Sequence, residues 1–258
     1  MSLTWAFSAS AFTFAQDKSS DDKKPTEAVK QEAASEKKEA PKKETSVEPA
    51  SRTGHWMKRH ETIMDRVKQG NVDLLMIGDS ITQGWEGKGK EVWARYYEPR
   101  HPANLGIGGD QTQHVLWRLE HGEIDGLHPK VAVIMIGTNN LGGHSNDEIL
   151  AGVKKIVRTL REKLPETKIL LLGIFPRQDR KTAEAVAKTL ARIASINAQI
   201  ALLADGKTIR YLDIGYVFVE PSGVITKDMM PDLLHLSSDG YRRWADAIEP
   251  TLWTMMNE

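Results

Sequence analysis

The sequence predicts an α/β domain with a central parallel sheet of about five strands covered by helices. Two observations lead to this fold class: short apolar runs of strand length recur along the chain, and segments with helical spacing of apolar residues separate them. Strands that are buried on both faces read as continuous apolar runs, and strands separated by helices are joined by crossovers in a parallel sheet. The pattern begins near residue 55, so we expect one domain over residues 55–258.

The first two elements of this pattern are a helix and a buried strand. In residues 55–69, Trp56, Ile63 and Val67 recur at helical spacing, and Gly70 is a typical helix stop. Residues 72–77, VDLLMI, then form an apolar run of strand length. Further strands are predicted at residues 103–107, 131–136, 168–174 and 209–214, and further helices at 90–97, 111–120, 146–163, 182–203 and 239–256.

The residues before this domain have a different composition. Residues 3–15 form a short apolar run that ends in small residues, Thr13 and Ala15, which resembles the end of a secretory signal peptide and predicts export. That run is too short to cross a bilayer, so no transmembrane segment is expected. Residues 16–54 are dominated by Lys, Glu, Asp, Ser, Ala and Pro, a composition that predicts a disordered charged linker.

The composition excludes several classes of protein. The sequence has 35 basic and 35 acidic residues, and the two signs are interleaved in the linker, which argues against nucleic-acid binding. It contains no cysteine, so disulfides, thiolate catalysis and lipoprotein attachment are excluded. Residues 84–90 nearly match a phosphate-binding loop, but Glu91 stands where Ser or Thr should bind magnesium. Gln111 stands where a dinucleotide-binding pattern beginning at Gly106 needs its last glycine.

Polar residues follow several of the predicted strands, at the edge where open parallel sheets bind ligands. Gly78, Asp79 and Ser80 follow the first long strand, so the Ser80 hydroxyl would lie at the ligand edge of the sheet. The same residue types also suit an ordinary helix N-cap. For the tripeptide alone, the helix cap is the stronger interpretation.

Two further loops follow strands. Gly106 lies at the end of the second strand and Gly108 and Gly109 follow it, and such glycines allow a backbone N–H to approach a developing negative charge. Asn139 follows the third strand, where its side-chain amide could donate to an oxyanion. Both loops also have structural explanations, because glycine-rich and asparagine-rich turns arise for backbone reasons alone, and Asp110 could cap the next helix.

A candidate proton-transfer pair lies near the end of the chain. Asp232 and His235 are three residues apart, in a segment bounded by Pro231 and by a run of serines. This spacing allows the carboxylate to hold the imidazole in the tautomer that takes a proton from Ser80. An isolated histidine is more often structural, and the other seven histidines are interpreted in that way.

Taken together, residues 78–80, Gly109, Asn139 and the pair Asp232 and His235 reproduce the four sequence blocks of the SGNH hydrolase superfamily. The segment NLGIGGDQTQHVLWRLEHGEIDGLHPKVAVIMIGTNN, together with GIFPR and DLLHLSSDGY, resembles the catalytic alpha subunits of platelet-activating factor acetylhydrolase Ib. The resemblance covers about residues 72–252. It implies a three-layer, flavodoxin-like fold and a serine esterase that needs no metal or organic cofactor.

The resemblance also implies a role for each matching residue. Ser80 would be the nucleophile and His235 the general base, with Asp232 orienting the imidazole. The oxyanion hole would consist of the backbone N–H groups of Ser80 and Gly109 and the side chain of Asn139.

The same resemblance gives an expectation for the substrate. In such relatives, side chains at the positions of Ile81, Thr138 and Leu234 close the acyl pocket, which implies a short acyl group, acetyl above all. Because an exported protein meets acetylated polysaccharides, the hypothesis is a carbohydrate ester. The alternatives are a lysophospholipase or thioesterase with a wider groove, and a non-catalytic carbohydrate-binding relative. The relatives dimerise, so a homodimer is left open.

Overall fold

The computed structural model describes residues 45–258, which form an α/β fold around a sheet of five parallel strands in the order β2-β1-β3-β4-β5. The strands are β1 Leu74–Gly78, β2 Pro102–Gly106, β3 Val131–Met135, β4 Lys168–Leu172 and β5 Ile209–Leu212. The α-helices are α1 His55–Lys68, α2 Ser80–Gln83, α3 Lys90–Tyr96, α4 Thr112–Glu120, α5 Asn146–Lys163, α6 Ala183–Ala201 and α7 Ser238–Asn257.

Hydrophobic layers cover both faces of the sheet, which is why the strands read as continuous apolar runs. In β1, Leu75 and Ile77 belong to the layer formed with α1, α4, α5 and α6. Leu74 and Met76 belong to the layer on the other face, formed mainly with α3 and α7. The three-layer α/β fold predicted from the sequence is therefore confirmed.

The predicted strands and helices are all present, and their ends differ by at most two residues. Strand ends differ where apolar side chains continue beyond the paired residues: Val72, Ile136 and Ile174 are buried but lie outside the strands. Helix α2 was not predicted, because four residues are too few to show a helical period.

The register places the carboxyl ends of β1, β2 and β3 side by side. Gly78 pairs with Gly106 on one side and with Met135 on the other. A Cβ atom at Gly78 would collide with the side chain of Thr82, and one at Gly106 would collide with the backbone of Gln83. The two glycines therefore allow α2 to pack directly on the strand ends.

Residues 45–54 correct the predicted boundary of the linker. They pack against the domain, and we call this segment the strap. Ser46 is fully buried: its hydroxyl donates to the carbonyl of Glu148 at 2.6 Å, and its carbonyl accepts the Thr112 hydroxyl at 2.9 Å. Composition did not reveal the strap because hydrogen bonds to backbone groups, not apolar side chains, hold Ser46 in place.

The predicted signal peptide, residues 1–15, and most of the predicted linker, residues 16–44, lie outside the described residues. Within residues 45–258, no helix combines the length and apolar composition that a membrane span requires. In the same part of the chain, no group of three or more His, Asp or Glu side chains is arranged to hold a metal ion.

Candidate active site

Ser80 is the first residue of α2 and follows β1 after a single residue. Asp79 caps this helix, because its Oδ1 accepts the backbone N–H of Ile81 at 2.9 Å. The hydroxyl of Tyr241 in α7 donates to the carbonyl of Ile81 at 2.6 Å, which ties the same turn to the outer helix. The Ser80 side chain is thereby held, partly exposed, at the carboxyl edge of the sheet.

His235 reaches Ser80 from the far end of the chain. The Ser80 Oγ and the His235 Nε2 are 2.9 Å apart. The His235 Nδ1 lies 2.6 Å from Asp232 Oδ2, and the backbone N–H of His235 donates to Asp232 Oδ1 at 2.7 Å. Between them, Leu233 adopts φ +62°, a left-handed conformation that is uncommon for a residue with a side chain. The structure therefore brings Ser80, His235 and Asp232 together.

The hydrogen bonds assign the proton positions in this group. Partial burial opposes ionisation of Asp232, but hydrogen bonds from the His235 side chain and backbone outweigh it and hold the pKa of Asp232 below its ordinary value. An ionised carboxylate can only accept, so His235 Nδ1 carries the ring hydrogen. In the neutral imidazole with its hydrogen on Nδ1, Nε2 is the acceptor for the Ser80 hydroxyl, which is the arrangement that a general base requires.

The loop after β2, residues 107–111, contacts the segment that follows β3, and we call it the glycine loop. The Asn139 Nδ2 donates to the carbonyl of Asp110 at 2.9 Å, which joins the two segments. Gly109 adopts φ +76°, a conformation that favours glycine. A Cβ atom at Gly108 would be 3.9 Å from the Ser80 Cβ, so the glycine loop and Ser80 are neighbours at the same edge.

A buried charged network supports the glycine loop from inside. The fully buried carboxylate of Asp110 accepts hydrogen bonds from Trp56 Nε1 at 2.6 Å and from Arg118 Nε at 2.9 Å. Arg118 also pairs with Glu123, whose other oxygen lies 2.8 Å from His60 Nδ1. Burial raises the pKa of Asp110, although Arg118 and Trp56 oppose this. The network fixes Asp110 and so limits where the loop can move.

Comparison with known proteins assigns the family. Residues 76–243 match the model of the GDSL-like lipase/acylhydrolase family. The chain belongs to this GDSL family. It is 34% identical over 216 residues to platelet-activating factor acetylhydrolase IB subunit alpha1 of Bos taurus, covering 84% of this chain and 90% of that protein. Subunit alpha2 of Rattus norvegicus is 33% identical over 206 residues, covering 79% and 86%. This GDSL protein is therefore a carboxylic ester hydrolase, as the sequence predicts.

Solved structures share the fold of this GDSL hydrolase. A GDSL-like lipase from Bacteroides thetaiotaomicron has a TM-score of 0.62 at 18% identity, covering 76% of this chain and 97% of that one. A carbohydrate acetylesterase from Sinorhizobium meliloti has a TM-score of 0.56 at 18% identity, covering 71% and 99%. At these identities the similarity shows the fold alone.

Asp79 differs from Asp110 and Asp232 because it is fully buried and, within the described part of the chain, no cationic side chain donates a hydrogen bond to it. Its Oδ1 caps α2, whereas its Oδ2 has no hydrogen-bond partner among residues 45–258. Burial raises the pKa of Asp79 from 3.8 to about 7, and the hydrogen bond from the Ile81 N–H only partly opposes this. The Asp79 carboxyl therefore titrates near neutral pH, one residue from the candidate nucleophile.

The three positions expected to close the acyl pocket have different surroundings. Ile81 is buried in the hydrophobic layer of α7, and Leu234 is partly exposed and packs against the same layer. Thr138 is buried, and its hydroxyl accepts Arg177 Nη1 at 3.0 Å. Each position is the chain neighbour of a candidate site residue. Their role as an acyl pocket stays a prediction.

Sequence reasoning missed the residues that support the GDSL site from behind. Arg118 was part of a helical pattern, yet its side chain is fully buried because Asp110 and Glu123 enclose it. Asp110 was interpreted as a possible helix cap, but the cap of α4 is Gln111, which forms a capping box with His114. No local pattern separates such a buried ion pair from a solvated helix face, because the partners come from outside the helix.

Proposed function

We propose that this GDSL hydrolase is a serine esterase that cleaves short-chain esters, above all acetyl esters, through an acyl-enzyme intermediate. The contact of Ser80 Oγ with His235 Nε2 at 2.9 Å, with Asp232 2.6 Å behind the imidazole, carries the proposal. A second observation argues against the interpretation of Ser80 as an ordinary helix N-cap. Asp79 supplies the cap of α2, so the Ser80 hydroxyl is not needed for that purpose.

In the first step, the Ser80 Oγ attacks the ester carbonyl carbon while its proton moves to His235 Nε2. Asp232 keeps the Nδ1 hydrogen in place and stabilises the imidazolium that forms. The tetrahedral intermediate collapses, the ester C–O bond breaks, and His235 gives the proton to the departing alcohol. In the second step, water attacks the acyl-serine carbonyl and gives a proton to the same nitrogen. The bond between the acyl carbon and Ser80 Oγ then breaks, His235 returns the proton to Oγ, and the carboxylic acid is released.

The oxyanion of each intermediate would be bound by the backbone N–H groups of Ser80 and Gly109 and by Asn139. Ser80 begins α2, where the first backbone N–H groups have no partner inside the helix. The hydrogen bond from Asn139 to the Asp110 carbonyl orients the amide, and the amide nitrogen carries a second hydrogen for the oxyanion. Three such donors suit acyl transfer, because the negative charge of the tetrahedral intermediate develops on a single oxygen, the former carbonyl oxygen of the ester.

Two arguments support acetyl as the acyl group. Ile81, Thr138 and Leu234 are the chain neighbours of Ser80, Asn139 and His235, and would leave room for a small acyl group. The relatives at 33–34% identity are named acetylhydrolases. An added methylene in such a pocket costs about 1–3 kcal/mol, so longer esters should be slower. We expect p-nitrophenyl acetate to be hydrolysed faster than the octanoate, and the reverse order would contradict the small pocket.

For the alcohol moiety we propose an O-acetylated carbohydrate. The proposal depends on the predicted export signal in residues 3–15, because acetylated polysaccharides occur outside cells. Acetate release from acetylated xylan, pectin or oligosaccharides tests it. No release from any of these, while aryl acetates are still cleaved, would reject the carbohydrate and keep the esterase. A lysophospholipase or thioesterase would instead favour long-chain substrates.

A fluorophosphonate that reacts with activated serines tests the nucleophile. The wild type should be labelled, and Ser80→Ala should lose both labelling and several orders of magnitude of turnover. Ser145→Ala is a matched control, because the Ser145 hydroxyl accepts the Glu148 N–H as the N-cap of α5, whereas the Ser80 hydroxyl is the one in contact with His235. That variant should be labelled like the wild type. A wild type without labelling or turnover would support the non-catalytic, carbohydrate-binding alternative.

Export is proposed from the sequence of residues 1–16, and a homodimer from the resemblance to the acetylhydrolase subunits. The export proposal predicts that the full chain, expressed in a bacterium, is recovered outside the cytoplasm after cleavage before Gln16. The homodimer predicts a molecular mass of two chains in sedimentation equilibrium. Full-length chain in the cytoplasm, or a single-chain mass at all concentrations, would contradict the respective proposal.

A further inference from the structure

The strap contacts the candidate oxyanion hole through one side chain. Arg52 Nη1 donates to the carbonyl of Gly108 at 2.9 Å. On the other side of the same residue, the Gly108 N–H donates to Gln83 Oε1 at 2.8 Å. Gly108 is therefore held by both of its backbone polar groups, one by the strap and one by α2.

The carbonyl that Arg52 binds and the N–H proposed as an oxyanion donor are parts of one rigid peptide unit. The carbonyl of Gly108 and the N–H of Gly109 belong to the same peptide, which is planar and trans, so the two groups point in opposite directions. Fixing the direction of the carbonyl fixes the direction of the N–H. A hydrogen bond from a charged guanidinium also polarises the peptide and makes its N–H a stronger donor.

We propose that Arg52 is a positioning residue for the oxyanion hole, which it orients by holding the Gly108–Gly109 peptide plane. This inference rests on the proposed function, because it gives Gly109 N–H the role of an oxyanion donor. The Arg52 guanidinium packs against Gly109, because a Cβ atom added to Gly109 would be 3.1 Å from Arg52 Nη1. The same nitrogen is 3.7 Å from the Asp110 carboxylate, which favours the position of the guanidinium electrostatically.

The strap has anchors that do not involve Arg52. Ser46 is buried between α4 and α5, Lys155 Nζ donates to the carbonyl of Val47 at 2.8 Å, and the N–H of Ala50 donates to the carbonyl of Gln113 at 3.1 Å. The Arg52 side chain itself is 40% exposed. Truncating the Arg52 side chain should therefore remove its hydrogen bond to the Gly108 carbonyl and leave the strap and the fold in place.

The experiment measures kcat and KM for p-nitrophenyl acetate in the wild type, Arg52→Ala and Arg52→Lys, with the melting temperature of each. We expect Arg52→Ala to lower kcat by about 10- to 100-fold, as expected for a displaced donor, with little change in KM. Arg52→Lys should recover part of the loss, because lysine keeps a charged donor. Millimolar guanidinium should raise the kcat of Arg52→Ala, since the vacated position is half open to solvent.

Arg66→Ala is the matched control. Its guanidinium also donates to backbone carbonyls, those of Pro102 and Gly70, but at the opposite end of β2. It should keep the wild-type kcat and show no response to guanidinium. An unchanged kcat in Arg52→Ala, a rise in KM alone, or an equal loss of kcat in Arg66→Ala would overturn the inference. Ser80→Ala is measured beside them, and wild-type activity in that variant would instead reject the proposed function.

Discussion

Asp79→Asn should stabilise the protein at neutral and alkaline pH. Because the pKa of Asp79 rises from 3.8 to about 7, the folded chain holds a proton at intermediate pH that the unfolded chain has released. The stability that depends on this group is complete below pH 3.8 and is lost as pH rises toward 7. Each pKa unit corresponds to about 1.4 kcal/mol, so the rise from 3.8 to about 7 is worth about 4 kcal/mol.

Asparagine keeps an acceptor for the Ile81 N–H but cannot ionise. The free energy of unfolding is measured by urea titration with circular dichroism, at pH values from about 4 to about 8. The wild type and Asp79→Asn should agree at the acidic end, and the variant should be more stable by about 4 kcal/mol at the alkaline end. Taking the difference cancels the titration of all other carboxyls. If the two curves of unfolding free energy against pH stay parallel, Asp79 has an ordinary pKa and the reasoning is refuted.

Asp205→Asn is the control for this titration. The N–H of Ile209 and the Thr208 hydroxyl lower the pKa of Asp205 to about 2, and the side chain is near the surface. Asp205 is therefore ionised in both the folded and the unfolded chain over most of the same pH range. The difference between wild type and Asp205→Asn should stay nearly constant with pH.

Three further substitutions test the candidate site. Asn139→Ala should lower kcat for p-nitrophenyl acetate by about 100- to 1,000-fold, the usual effect of losing one oxyanion donor, without a large change in melting temperature. Leu234→Ala should raise the rate on p-nitrophenyl butyrate relative to the acetate by about tenfold or more, because a wider pocket removes the discrimination against extra methylenes. Gly109→Ala should lower both melting temperature and kcat, because φ +76° costs a side chain about 1–2 kcal/mol and the new methyl group would contact Arg52.

The fold could be predicted from the sequence because strands of a sheet that is covered on both faces are apolar at nearly every position. Residues 74–78 and 131–135 read as uninterrupted apolar runs, since side chains of alternate positions enter two different hydrophobic layers. The placement of Ser80 and Asn139 at one edge followed from that fold, because carboxyl ends of parallel strands share an edge. The approach of His235 to Ser80 could not be derived from spacing and came from the resemblance to SGNH hydrolases.

The strap and the buried network were missed for a different physical reason. Composition measures how much apolar surface a segment can bury, and by that measure residues 45–54 have little to contribute. Ser46 is nevertheless buried, because its hydroxyl and carbonyl satisfy partners on α4 and α5. Arg118 is buried for a similar reason, with two carboxylates as partners. The partners of Ser46 are distant in sequence, and those of Arg118 are near but lie outside its helical pattern, so composition and periodicity give no sign of either burial.

The two buried aspartates next to the candidate catalytic groups should respond in opposite ways to the same substitution. Asp110 accepts hydrogen bonds from Trp56 and Arg118, whereas Asp79 Oδ2 has no partner among residues 45–258. Asp110→Asn replaces one accepting oxygen with a donor that faces another donor, and should destabilise the fold by about 1.5–3 kcal/mol. Asp79→Asn should stabilise it at the same alkaline pH. If both substitutions change the free energy of unfolding in the same direction, the hydrogen bonds that each carboxylate accepts do not determine the effect of the substitution on stability.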